Sequence, residues 1–212
     1  MRAAHWLGQE SDRELVPMSD NFAERIAYWY LRFNGCMLIE NFVHHGVAGG
    51  RRAADTDLLA VRLPYSQQRI AGQVLVQDDW AQVFRIVGDA RWVALIVQVK
   101  GGMAGGAPAQ AFTRDRLEDA VRRIGAIQEG SIADLCVRLV DAPSAECGRW
   151  VFVKLVIAEA PVEGCFVSLP LRDAERFVRN RLRSHIDRKR GDWVQFRDPV
   201  IQLLAWEECR RG

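Results

Sequence analysis

The chain has 212 residues, 49% of them hydrophobic and 26% charged, with a formal net charge of +2. That is enough chain for one sizeable domain, or one with an appendage. The near-neutral charge excludes a global field for nucleic acid, so any basic surface must be local. No apolar stretch reaches transmembrane length, and residues 1–15 lack the apolar core of a signal peptide. The five cysteines lie no closer than eleven residues apart, which excludes a CxxC zinc or redox pair. An odd, scattered set fits a reduced compartment, so a cytoplasmic protein without a membrane partner is expected.

Residues 1–20 read as a polar lead-in. A helix is predicted over 21–34, where Phe22, Ile26, Trp29, Tyr30 and Phe33 share one face and Gly35 stops the run. Asn21 and Glu24 have capping-box spacing. Residues 36–43 read as a strand, 44–55 as a glycine-rich loop carrying Arg51 and Arg52, and 56–63 as a strand with Asp57 at its start. Residues 64–90 are polar, with a short helix expected about 78–85. Residues 91–106, RWVALIVQVKGGMAGG, hold an unbroken apolar run that opens into glycines. Its Val and Ile content predicts a strand buried on both faces.

Thr113 suits the N-cap of a helix to 128, with Leu117, Val121 and Ile124 inward. A short helix is expected over 131–140, a strand over 150–159 and another over 165–169. Ala174, Phe177, Val178, Leu182 and Ile186 make the inner face of a helix over 172–187. Pro199 starts a last helix over 200–209. Over 21–159 the order is helix, strand, strand, strand, helix, strand. Strands joined without long helices are expected as antiparallel neighbours, and the helix before the fourth permits a parallel crossover. The fold class is therefore α/β (α+β), a mixed sheet flanked by helices, with 160–212 as a C-terminal extension packed on the core.

Only three of the 29 basic residues are lysine: Lys100, Lys154 and Lys189. A lysine at the end of a core strand supplies a compact ammonium rather than a planar fork. Gln98 lies two residues before it, on the same side of the strand. If the strands of Asp57 and Lys100 run antiparallel, a carboxylate, an amide and an ammonium meet at one sheet edge. The two oxygen donors suit Mg²⁺ or Mn²⁺, and the ammonium suits a water or a phosphate. Plainer roles exist for each residue. Glu24 can cap its helix, Asp57 can satisfy turn donors, Asp55 can replace it as the acid, and Glu40 can face solvent. His44 and His45 are adjacent and are expected as surface loop residues. Arg51 and Arg52 can clamp phosphate or sit in solvent. The glycines at 101–106 lack the ending of a P-loop and do not fit GxGxxG.

Arg172, Arg176, Arg179 and Arg183 fall on one helical stripe, and residues 172–190 hold eight basic against three acidic side chains. Such a patch can grip a nucleic-acid backbone or be an ordinary solvated face.

With Asp57 in TDLLAV and Gln98-Val99-Lys100 in LIVQVK, residues 21–159 resemble the PD-(D/E)XK nuclease superfamily, the fold of restriction endonucleases and archaeal Holliday-junction resolvases. That family has an αβββαβ core, an Asp at the second strand and Asp/Glu-x-Lys on the third. Many members add a Glu from the first helix, where Glu24 stands here. Two departures accompany the likeness: the acid of the third-strand motif is Gln98, and residues 64–90 lengthen the gap after Asp57. The resemblance implies a restriction-endonuclease-like core and a Mg²⁺- or Mn²⁺-dependent nuclease acting on DNA. Asp57, Glu24 and Gln98 would hold the metal, and Lys100 would handle the water or scissile phosphate. Arg51, Arg52 and the 172–183 stripe would hold nucleic acid. Two other classes stay open: a non-catalytic nucleic-acid-binding or assembly module on the same fold, and an interaction protein that only shares the sandwich. Seven tryptophans leave room for an apolar homo-oligomer interface.

Overall fold

The computed structural model describes residues 22–44, 55–70, 74–76, 78–79, 87, 91–101, 108–186 and 196–211. In chain order these form α1 (Phe22–Phe33), β1 (Met37–Val43), β2 (Asp55–Arg62), β3 (Gln68–Ile70), β4 (Val74–Val76) and β5 (Trp92–Lys100). There follow α2 (Arg114–Ile124), α3 (Ile132–Asp141), β6 (Ser144–Cys147), β7 (Trp150–Ala158), β8 (Val167–Pro170), α4 (Leu171–Ile186) and α5 (Pro199–Arg211). The protein is an α+β structure with an open mixed sheet of six strands, flanked by helices.

The long apolar runs become the centre of the sheet. Strands β5 and β7 are buried along almost their whole length and pair in parallel from Trp92↔Trp150 to Lys100↔Ala158. A parallel pair needs a crossover, and α2 and α3 supply it. Strands β1, β2 and β5 are antiparallel neighbours. On its other side β7 takes β6 antiparallel along its first half and β8 in parallel along its second.

Alternation along the strands divides the core into two layers. Leu58, Ala60, Val93, Leu95, Val97, Val153 and Leu155 pack under α1, α4 and α5. Leu59, Ala94, Ile96, Phe152 and Val156 pack under α2 and α3. Helix α1 ends where Gly35 adopts φ 78°; the Cys36 N–H then reaches the Leu31 carbonyl at 3.1 Å and the Gly35 N–H the Arg32 carbonyl at 3.0 Å. This is the left-handed stop that favours glycine.

The segment after β8 is tied to α1. The Asp198 Oδ1 accepts the Val200 N–H at 2.9 Å, capping α5 with Pro199 in the first helical position. Its Oδ2 accepts the Trp29 indole N–H at 2.7 Å and the Arg25 Nε at 2.8 Å. Burial alone would raise this carboxyl, but Trp29 and Arg25 together hold it below the ordinary aspartate value. Tyr30 and Phe177 meet edge to face at 5.4 Å between α1 and α4.

Three local expectations are corrected. Residues 64–90 contain a short hairpin, β3–β4; Asp78 and Asp79 are not helical, and most of the helix expected about 78–85 lies outside the described residues. Strand β6 adds a sheet member where the sequence pattern shows none. Thr113 precedes α2 in extended backbone but makes no side-chain cap.

Candidate active site

The β2–β5 ladder runs from Arg62↔Val93 to Leu58↔Val97 and stops one residue short of Asp57. Beyond that point β5 stays paired with β7 on its other side, through Lys100↔Ala158 and the Glu159 N–H on the Lys100 carbonyl at 3.2 Å. The side of β5 facing β2 therefore has backbone N–H groups in need of an acceptor. The Asp57 carboxylate provides it: Oδ2 accepts both the Val99 backbone N–H and the Gln98 side-chain Nε2. Asp57 is 8% exposed and Gln98 6%.

Burial pushes the Asp57 carboxyl up, to about 6, against the lowering effect of the Val99 N–H. Among the charges, Glu24 and Asp55 raise it and Lys100 lowers it. Glu24, in the first turn of α1, and Lys100, at the end of β5, are thus close enough for their charges to act on Asp57. Asp57 and Gln98 are in contact between β2 and β5, and the charges of Glu24 and Lys100 act on the Asp57 carboxyl. These side chains comprise two carboxylates, one amide and one ammonium. Among the described residues no three His, Cys, Asp or Glu side chains are grouped as metal ligands.

The remaining candidates fall elsewhere. Glu40 is bonded to Arg25 of α1. Asp55 is exposed at the first position of β2, paired with Val43. Arg51, Arg52 and His45 lie outside the described residues, as do residues 102–107 of the glycine loop. His44 is not a surface residue. It is 6% exposed, with Nε2 at 2.8 Å from the Thr56 hydroxyl and Nδ1 at 3.5 Å from Asp119 of α2. Nδ1 has no hydrogen-bond partner among the described residues, and burial pushes the imidazole pKa down. Lys154 is buried between β7 and the α2–α3 layer, where its Nζ donates to the Val140 carbonyl at 2.8 Å near the end of α3.

The arginine stripe divides in two. Arg172 and Arg176 are 79% and 67% exposed, and among the described residues their acidic partner is the neighbouring Asp173. Arg179 is 20% exposed and bonded to Glu175, Glu207 and Glu208. Arg183 is 54% exposed and bonded to the buried Glu208. The pair without a contact to α5 among the described residues is the pair nearer the candidate site: Lys100, Ala158 and Pro170 lie in one row across β5, β7 and β8, and Pro170 leads directly into α4.

Sequence reasoning did not single out Asn41, which sits in β1 opposite Asp57 with φ 50°. An asparagine in the middle of an apolar strand pattern was the available signal, because Asn is disfavoured in strands and tolerated in left-handed backbone. No protein-family model, curated protein or solved structure matches the chain. No helix among the described residues is long and apolar enough to cross a membrane.

Proposed function

We propose that the chain is a metal-dependent nuclease of the PD-(D/E)XK kind, acting on DNA. The observation that carries the reading is the meeting of Asp57 and Gln98 in the opening between β2 and β5, with Glu24 and Lys100 acting on the same carboxylate. Support for the reading comes from the order α1, β1, β2, β5, α2, β7, with β5 and β7 parallel, which follows αβββαβ once β3, β4, α3 and β6 are set aside as additions. The donor chemistry fits a hard divalent cation. Two mutually repelling carboxylates, one of them raised to about 6, gain from a positive charge placed between them.

In this reading Asp57 and Glu24 supply anionic oxygens and the Gln98 carbonyl a neutral one. A bound Mg²⁺ or Mn²⁺ would supply Lewis acidity toward a phosphodiester oxygen and acidify a water. The Gln98 and Val99 N–H groups hold the Asp57 carboxylate in place before any ligand arrives, so little reorganisation is needed. The Lys100 ammonium, fixed by the continuing β5–β7 ladder, orients the attacking water or offsets charge on the scissile phosphate. Arg172 and Arg176 would contact the flanking backbone. They start roughly 10 Å from Lys100, two strand spacings along the row.

A second reading keeps the fold and drops the catalysis: a nucleic-acid-binding or assembly module. Gln98 favours it, since an amide stands where the family has an anionic ligand. Calorimetric titration with Mn²⁺ and Mg²⁺, together with a plasmid-nicking assay, separates the two. The nuclease reading expects binding and nicking in the wild type and neither in Asp57→Ala. A wild type that binds no divalent cation defeats it.

A further inference from the structure

We propose that Asn41 is a positioning residue for Asp57: its left-handed backbone turns the carboxylate into the opening between β2 and β5. The inference rests on the reading of Asp57 as a metal ligand only for its functional consequence. The geometry stands by itself.

In a regular strand, residues three apart face opposite sides of the sheet. In β1 they do not. Glu40 is bonded to Arg25 of α1, and Leu38 packs on the α1 side. Ile39 packs on the α2 side, as alternation requires, and so does Phe42, whose ring lies 4.9 Å from His44. Asn41, at φ 50°, is where the strand changes face. The partner strand changes face with it. The β1–β2 register holds at Glu40↔Leu58 and again at Phe42↔Thr56, with no residue inserted, while Asn41 and Asp57 oppose each other unpaired.

Before this point Leu58 and Ala60 face α1 and Leu59 faces α2. Continued alternation would put Thr56 toward α1 and Asp57 toward α2. Instead Thr56 takes the His44 imidazole, which is beside Asp119 of α2. Asp57 is released from the α2 side and accepts the Val99 N–H in the sheet. The change of face in β1 and the change of face in β2 thus fall opposite each other in the register, at Asn41 and Asp57. Asn and Gly adopt this conformation readily, Ala less so, and a β-branched residue least.

The test is a backbone series, Asn41→Gly, Asn41→Ala and Asn41→Val, with two readouts. Hydrogen exchange of the Val99 amide reports the Asp57 contact without any metal, and Mn²⁺ calorimetry reports its consequence. Asn41→Gly should stay within about twofold of wild type in both. Asn41→Ala should speed exchange and weaken Mn²⁺ about fivefold, and Asn41→Val about tenfold or more. If Asn41→Val does not fold, the Gly–Ala pair carries the comparison. Wild-type behaviour in Ala and Val overturns the proposal, as does an Asn41→Gly variant as impaired as Ala, because the side chain would then be the active feature. If the wild type binds no Mn²⁺, the nuclease reading falls, and Val99 exchange alone decides whether Asn41 positions Asp57.

Discussion

The Asp57 carboxylate accepts the Val99 backbone N–H, standing where the next carbonyl of the β2–β5 ladder would have stood. A side chain that closes a sheet edge this way is fixed by the backbone it serves. It is also drawn out of water, and its proton affinity records that.

The first prediction concerns this burial. The Asp57 carboxyl is raised from 3.8 to about 6, so between those values the native state holds a proton that the unfolded state has released. Its contribution to stability is fully present below pH 3.8 and is lost as pH rises through about 6. Asp57→Asn should therefore raise the melting temperature at pH 8, by a margin equivalent to roughly 1–3 kcal/mol, and leave it unchanged at pH 4. Equal effects at both pH values would show that the carboxyl is not raised.

Metal binding should carry the same signature. A cation that takes the ionised carboxylate must displace its proton, so binding weakens below pH 6. Calorimetry at pH 5.5 in two buffers of different ionisation heat should give release of most of one proton per Mn²⁺, and almost none at pH 8. No buffer dependence at pH 5.5 would take Asp57 out of the ligand set.

Much of this edge was legible in the sequence. The apolar runs at β5 and β7 mark the sheet centre, and antiparallel pairing of Asp57's strand with Lys100's is enough to bring Asp57 beside Gln98. What was not legible depends on partners far away in the chain. His44 reads as a loop residue until Asp119 and Thr56 enclose it. The four stripe arginines are equivalent until Glu207 and Glu208 of α5 claim two of them. Strands of three or four residues, such as β3, β4 and β6, carry too little periodicity to stand out. The turn at Asn41 belongs to a single dihedral angle.

That division of the stripe gives the third prediction. If DNA binds, Arg172→Ala with Arg176→Ala should reduce the slope of log affinity against log salt by roughly two units, one per phosphate contact. Arg179→Ala should leave the slope nearly unchanged, since three carboxylates already hold that guanidinium, and should lower the melting temperature instead. A slope indifferent to Arg172 and Arg176 makes the whole helix face structural.

The clasp at Asp198 offers a test of stability alone. Asp198→Ala removes the cap of α5, leaves the Trp29 N–H without its acceptor and leaves Arg25 with Glu40 alone. The expected loss is about 3 kcal/mol by denaturant unfolding. Asp198→Asn keeps an acceptor and should recover part of it. A loss under about 0.5 kcal/mol for Asp198→Ala would mean that α5 is held by apolar packing alone.

The last prediction places at Gln98 the acid that the proposed nuclease reading would expect there. In the structure Gln98 donates to Asp57, so Gln98→Glu replaces a donor by a second carboxylate and leaves two buried anions in contact. Without metal, one of them must keep a proton, and the folded-state value of the pair rises further. By the sign worked out for Asp57, that stability is present at low pH and lost as pH rises through the raised value. The variant should therefore melt several degrees below wild type at pH 8 and close to it at pH 4. A divalent cation reverses the effect, because it gains a third anionic oxygen in a nearly isosteric position. Mn²⁺ should bind the variant about tenfold more tightly than wild type, raise its melting temperature by more, and increase any nicking activity. A binding module predicts the pH-dependent loss without the metal rescue. Destabilisation at pH 8 that saturating Mn²⁺ leaves untouched, with no nicking in either protein, would remove the nuclease reading and keep the fold as a scaffold for binding.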